Sequence, residues 1–160
     1  MEILDGKKLS NEIIEELKVR CDELKEKGIK PKFAVIMVGN DKASQIYVKN
    51  KRKACERIGI ECVECFLDEN IQQKELIDKI KELNSDNTIH GILLQSPIPK
   101  HLNINEAFET ISPKKDVDGF NPTNVGKLCL NQNTFVSCTP FGIIKLLDKY
   151  GIDLAGKKVT

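Results

Sequence analysis

Apolar positions at the start of the chain recur at near-helical spacing: Leu9, Ile13, Leu17 and Leu24 form one stripe, and Gly28 and Pro31 follow as stop signals. The pattern predicts a helix over about residues 7 to 27. It then changes to the continuous apolar run Phe33-Ala34-Val35-Ile36-Met37-Val38, closed by Gly39-Asn40-Asp41, which suits a strand buried on both faces. A second helix follows, capped by Asn40 or Asp41. After it come a strand over 60–67, a helix over 72–83, the strand Ile89-His90-Gly91-Ile92-Leu93-Leu94, a short helix over 104–110 and a helix over 140–149. This alternation predicts an α/β fold, a three-layer domain with a mainly parallel sheet and helices on both faces.

The second helix carries the first candidate chemistry. At about 100° per residue from Ile46, Ala43, Tyr47, Ala54 and Ile58 cover an apolar arc from 0° to about 120°. Lys42, Lys49, Arg52 and Lys53 fall between about 240° and 340°, facing water. Lys51 stands apart, near 140° at the edge of the apolar arc and four residues after Tyr47, so the two side chains are neighbours. A lysine there either enters a cleft, where partial burial suits it to proton exchange, or lays its methylenes along the boundary with its charge in water. Tyr47 offers a flat apolar wall with a polar tip.

Two further segments end in polar groups. Gly91-Ile92-Leu93-Leu94-Gln95-Ser96-Pro97-Ile98-Pro99 is a buried strand that stops at an amide, and its prolines end sheet pairing. Ligands in open parallel sheets collect beyond the carboxyl ends of strands, which is where Gln95 falls, with an amide able to donate and accept together. Pro113-Lys114-Lys115-Asp116-Val117-Asp118-Gly119-Phe120-Asn121-Pro122 reads as a rigid loop, its prolines fixing φ and Gly119 permitting a turn. In an extended segment Asp116 and Asp118 point to opposite sides, one to anchor the loop and the other to face a ligand. A solvated surface turn is the plainer alternative. His101 reads as an exposed loop or helix-start residue.

Composition narrows the class. The 160 residues suit one domain with a sizeable core, and 25 lysines and arginines against 24 acids leave a net charge of +1. That balance gives no electrostatic case for a nucleic-acid or membrane partner. Without a long apolar run or a signal-like start, the expectation is a cytoplasmic protein. The six cysteines, at 21, 55, 62, 65, 129 and 138, include one close pair, Cys62 and Cys65. Three residues apart on a strand, these two point to opposite faces, so the expectation is reduced core thiols and no metal site.

Taken in order, Ala43-Ser44-Gln45-Ile46-Tyr47-Val48-Lys49-Asn50-Lys51-Arg52-Lys53-Ala54, Gly91 to Pro99, Lys115-Asp116-Val117-Asp118-Gly119-Phe120 and Cys138-Thr139-Pro140-Phe141-Gly142-Ile143 closely resemble the bifunctional methylenetetrahydrofolate dehydrogenase/methenyltetrahydrofolate cyclohydrolase family. The four motifs span nearly the whole chain. The resemblance implies a folate-binding N-terminal domain facing an NADP-binding Rossmann domain across a cleft. It implies that Lys51 is the catalytic lysine, Tyr47 the tyrosine that stacks on folate, Gln95 the glutamine bonded to that lysine and Asp118 the acid that binds the pterin ring. Ser44 and Pro97, inside the matching motifs, join the implied substrate-binding set. The implied reactions are oxidation of 5,10-methylenetetrahydrofolate by hydride transfer to NADP and hydrolysis of the methenyl product to 10-formyltetrahydrofolate, in one-carbon metabolism that feeds purine biosynthesis.

Two residues depart from the family's usual pattern: Ser96 stands where leucine or methionine is common, and Ser137 where proline commonly precedes Cys-Thr-Pro. Neither change removes a reacting group. The larger departure is Asp153-Leu154-Ala155-Gly156-Lys157-Lys158-Val159-Thr160, which reads as the beginning of a Rossmann strand with no glycine-rich turn after it. The expectation is therefore a folate-binding catalytic domain over residues 1–150, the start of a truncated NADP-binding domain over 151–160, and no hydride transfer by this chain alone. A homodimer is expected of the full-length protein and a monomer of this chain. The competing classes are a non-enzymatic folate- or partner-binding domain and the substrate domain of a shikimate-type dehydrogenase.

Overall fold

The computed structural model describes residues 3–158. In chain order the elements are α1 (Gly6–Glu26), β1 (Lys32–Val38), α2 (Lys42–Ile58), β2 (Glu61–Leu67), α3 (Gln73–Ser85), β3 (Gly91–Leu94), α4 (Ile104–Thr110), α5 (Pro122–Cys129) and α6 (Cys138–Lys149). The strands form one parallel sheet in the order β2-β1-β3. β1 is central, and its run from Ala34 to Val38 is buried throughout, so both faces of the sheet need cover. Ala34, Ile36 and Val38 pack on one side with Leu76 and Ile80 of α3, Ala107 of α4, and Ile92 and Leu94. Val35, Met37 and Leu93 pack on the other side with Val48 of α2. The three-layer α/β expectation describes this arrangement.

Cys65 packs with the first cluster and Cys62 with the second, so the two thiols lie on opposite faces of the sheet. Burial pushes the Cys55 thiol up to about 12, helped by its neighbours Cys62 and Cys21.

α2 begins where Asp41 accepts the Ser44 N–H at 2.7 Å, and ends at Gly59 with φ +81°. Its buried residues are Ser44, Val48, Cys55 and Ile58, which occupy an arc from about 120° to 200° on the wheel used above. The apolar arc expected from Ile46, Ala43 and Tyr47 is therefore rotated from the observed one: Ile46 is 61% exposed and Tyr47 59%. The small side chains of Ser44, Val48 and Cys55 let the helix lie close to the sheet, a fit that hydropathy does not register. The rotation brings Lys51, near 140°, inside the buried arc rather than at its edge.

α5 was not expected. Asn121 accepts the Thr123 N–H at 2.8 Å and Pro122 occupies the first turn, so the proline read as a loop terminator starts a helix. α6 has no buried residue and is tied to α1 by a Lys149–Glu12 ion pair and by the Asp5 N–H donating to the Tyr150 hydroxyl at 2.9 Å. After α6 the chain makes a turn in which the Lys157 N–H reaches the Leu154 carbonyl. Val159 and Thr160, the end of the expected Rossmann strand, lie outside the described residues.

Candidate functional site

β1 and β3 pair in register up to Ile36 opposite Leu94, and the next N–H, that of Gln95, donates to the Ile36 carbonyl at 2.8 Å. Sheet pairing thus delivers the Gln95 side chain to the carboxyl end of the sheet, where α2 presents Lys51. The Lys51 ammonium donates to Gln95 Oε1 at 2.8 Å, while Gln95 Nε2 donates to the Ser96 carbonyl at 2.7 Å. With both ends of the amide occupied, its oxygen faces the lysine. The Tyr47 ring lies one turn earlier, its centroid 5.7 Å from Lys51 Nζ, within cation–π range and largely open to solvent.

A cavity of about 190 Å³ adjoins this pair, lined by Lys51, Gln95, Asp118, Phe120, Ser137 and Cys138 among others. Asp118 arrives on the loop that runs beside β3. The Ile92 N–H donates to the Lys115 carbonyl at 2.7 Å, and the Lys115 ammonium reaches the carbonyls of Leu83, Asn84 and Asp86 at 3.0, 2.8 and 2.7 Å. Val117 packs tightly on Gly91, so that a Cβ at position 91 would stand 2.6 Å from Val117 Cγ1. Asp116 is buried and accepts three N–H donors: Gly119 at 3.1 Å, Asn121 at 2.8 Å and Asn124 Nδ2 at 2.8 Å. Asp116 is the anchor and Asp118 the residue that lines the cavity, one of the two assignments left open by the sequence.

Burial raises the Asp118 carboxyl above the usual carboxylate range and the Asp116 charge adds to this, while the nearby Lys51 ammonium works against it. The Cys138 thiol is likewise pushed up by burial and by Asp118. The cavity therefore joins a cation, an amide with its oxygen held toward that cation, and a carboxyl group with raised proton affinity. Such a set can hydrogen-bond a polar heterocycle through Asp118 and direct water and protons through Lys51 and Gln95.

Ser44 is 2% exposed, lies on the buried face of α2 two turns before Lys51, and its hydroxyl has no hydrogen-bond partner among the described residues. Pro97 is exposed and lines a neighbouring cavity of about 510 Å³ with Asn40, Asp41 and His101. It stands apart from the Lys51 pocket. His101 Nε2 lies 3.0 Å from the Ile71 carbonyl. The far wall of the Lys51 pocket, Ser137 to Thr139, was not singled out as a site by sequence reasoning, although its Cys-Thr-Pro motif opens α6 there. Among the described residues, no cluster of three histidine, cysteine or acidic side chains could hold a metal ion.

A family model for the tetrahydrofolate dehydrogenase/cyclohydrolase catalytic domain matches residues 4–118. The chain is 52% identical over 156 residues to the bifunctional protein FolD of Campylobacter concisus, and 49% identical over 160 residues to that of Aquifex aeolicus. It covers 98% and 99% of itself in these alignments and 55% of each relative, so it spans about half the length of the curated relatives it matches. Among solved structures it resembles the bifunctional FolD methylenetetrahydrofolate dehydrogenase/cyclohydrolase of Campylobacter jejuni, with a TM-score of 0.95 and 52% identity over 96% of this chain and 55% of that one. The Trypanosoma brucei enzyme, solved with NADP cofactor and inhibitor, matches with a TM-score of 0.93 and 33% identity over 98% of this chain and 54% of that one. With a family model covering most of its length and relatives near half identity along all of it, the chain belongs to the tetrahydrofolate dehydrogenase/cyclohydrolase family.

Proposed function

We propose that this chain is the substrate-binding portion of a bifunctional enzyme of folate one-carbon metabolism. The longer protein oxidises 5,10-methylenetetrahydrofolate with NADP and hydrolyses the methenyl product to 10-formyltetrahydrofolate, a one-carbon donor for purine biosynthesis in the cytoplasm. The observation that carries this reading is the 2.8 Å Lys51–Gln95 hydrogen bond beside a carboxyl group of raised proton affinity.

In this reading the Asp118 carboxyl hydrogen-bonds the pterin and the Tyr47 ring stacks on the folate, while Ser44, on the buried face of α2, sets the close seating of the helix that presents both Tyr47 and Lys51. Pro97 shapes the rim on the side of the larger cavity. Lys51 and Gln95 act at the one-carbon bridge. Water adds to the electron-poor methenyl carbon and gives up one proton; the carbon–N5 bond then breaks with its electron pair going to N5, which takes up the remaining hydroxyl proton as the formyl C=O forms on N10. Lys51 and Gln95 are placed to orient that water and pass its proton.

The residues present do not make an NADP site. The turn from β1 to α2 holds one glycine, Gly39, and the segments leading from β2 to α3 and from β3 to α4 hold none, so no glycine-rich cradle for a pyrophosphate exists among the described residues. No step through the nicotinamide is assigned to this chain. The full-length protein is taken to be a homodimer, and this chain a monomer with no nucleic-acid or membrane partner.

Calorimetric titration with a stable folate analogue, followed by a methenyltetrahydrofolate hydrolysis assay, tests the proposal. The expected result is binding that weakens at least tenfold in Tyr47→Ala, and hydrolysis that disappears in Lys51→Ala while binding persists. Binding without hydrolysis in the unsubstituted chain would make it a folate-binding module. Binding of shikimate in place of the folate analogue would overturn the reading.

A further inference from the structure

The pocket has two walls from distant parts of the sequence, the Asp118 loop and the segment that leads into α6, and one polar chain, buried at Asp116 and Asn124 and partly exposed at Thr134, joins them. Asp116 accepts Asn124 Nδ2 at 2.8 Å, and Asn124 Oδ1 accepts the Thr134 hydroxyl at 2.8 Å. Asn124 Nδ2 also reaches the Pro113 carbonyl at 3.0 Å. Asp116 and Asn124 are each 2% exposed, and among the described residues no cation pairs with the Asp116 carboxylate, which is held by N–H donors. From Thr134 the chain runs three residues to Ser137 and Cys138 in the far wall. The walls also meet at Gly119, whose φ is +71° and where a Cβ would stand 2.9 Å from the Phe135 carbonyl oxygen and 3.2 Å from the Ser137 nitrogen.

Buried polar groups that are hydrogen-bonded to one another hold a backbone in one arrangement, because breaking one bond strands its partner away from water. We propose that Asp116, Asn124 and Thr134 form a polar strut that positions Asp118 and fixes the spacing between the two walls of the substrate pocket. These are positioning residues, since none lines the cavity beside Lys51. The strut has an electrostatic side as well as a mechanical one. Asp118 faces Lys51 from α2, Cys138 from α6 and Asp116 from its own loop. The Asp116 charge opposes ionisation of Asp118, adding to the effect of burial and against that of Lys51. The ligand of the pocket rests on the folate reading, and the strut on its hydrogen bonds alone.

The test uses the 160-residue chain with carbon-13 carboxyl labelling and a stable folate analogue. Asp116→Asn keeps the side-chain shape, removes the charge and replaces one acceptor oxygen with an NH2 group that faces an N–H donor. The Asp118 titration midpoint is expected to fall, because a like charge that opposes its ionisation is gone, and affinity to weaken about tenfold. Thr134→Val removes one hydroxyl from a partly exposed position. It is expected to weaken binding about threefold or more and to shift the amide signals of Asp118 and Cys138, with Thr134→Ser restoring both. An unmoved Asp118 midpoint in Asp116→Asn, or Thr134→Val matching the parent in affinity and in those amide signals, would overturn the strut. If Asp116→Asn does not fold, the Thr134 pair decides. If the unsubstituted chain binds no folate analogue, the folate reading fails, while the Asp118 midpoint and the amide signals still judge the strut.

Discussion

Gly91→Ala is the most stringent probe of how the fold places Asp118. Gly91 opens β3 with ordinary negative φ, so the backbone accepts alanine, and the strand itself gains roughly 0.5–1 kcal/mol from the lost glycine flexibility. The added methyl nevertheless lands 2.6 Å from Val117 Cγ1. Carbon atoms rest at about 3.5–4.0 Å, so one of the two must retreat by about 1 Å. Val117 is β-branched and stiff at χ1, and it lies between the anchored Asp116 and the pocket-facing Asp118. The displacement therefore passes into the loop and carries the Asp118 carboxyl away from Lys51.

Overpacking of this kind costs about 1–3 kcal/mol, partly offset by the backbone gain, which leaves a net loss of up to about 2 kcal/mol. A misplacement of about 1 Å at a reacting group is worth up to about a hundredfold in rate. The expected outcome is a fall in melting temperature of no more than about 8 °C, together with folate-analogue affinity and any hydrolysis reduced at least tenfold. Val117→Ala in the same chain removes the colliding methyls, and the double variant is expected to regain most of the affinity, an interaction that independent sites would not show. Gly91→Ala binding the analogue as tightly as the parent would refute the idea that β3 and the loop are packed closely enough to set the site.

Two other substitutions test the supports separately. Lys115→Met removes the ammonium from three carbonyls at the end of α3 and is expected to lower stability by about 1–2 kcal/mol, read as a lower denaturant midpoint, with Lys115→Arg losing less; an unchanged midpoint would show that water replaces it at no cost. Asp118→Asn tests the sign of the linkage. Because the folded chain holds the Asp118 proton to higher pH than the unfolded chain does, stability falls as pH rises from the ordinary carboxylate range through the raised folded value, so the asparagine variant is expected to be at least as stable as the parent at pH 7 and to lose that advantage near pH 3. A parent that gains stability over this window relative to the variant would contradict it.

The sheet was legible because its strands announce themselves. β1 must be covered on both faces, and an uninterrupted run from Phe33 to Val38 says so without reference to anything distant. α5 was not legible from the same kind of pattern. Its buried residue is the polar Asn124, and its start depends on Asn121 capping Thr123, so the information lies in hydrogen bonds rather than hydropathy. The same reason explains the rotated face of α2. Ser44 and Cys55 count as weak or polar positions on a helical wheel, yet their small size is what permits close contact with the sheet. Tyr47 and Ile46 count as apolar and face outward.

The placement of the pocket follows from these two kinds of information acting together. Hydropathy fixes the parallel strands, and parallel pairing brings Val38, Leu67 and Leu94 to one edge with their following loops free of sheet obligations. That much would yield a crevice of no particular chemistry. Lys51 meets Gln95 there because α2 rests on its small-residue face, which rotates the lysine inward; had the helix rested on Ile46 and Ala43, the ammonium would have remained at the boundary. Asp118 meets them because Asp116, two residues earlier in a run of turns rather than the extended segment expected, is held by donors from the start of α5. The chemistry of the site thus depends on the least hydrophobic parts of the packing. Substitutions that preserve the apolar core but enlarge Ser44 or disconnect Asn124 are expected to leave a folded chain with its functional groups apart.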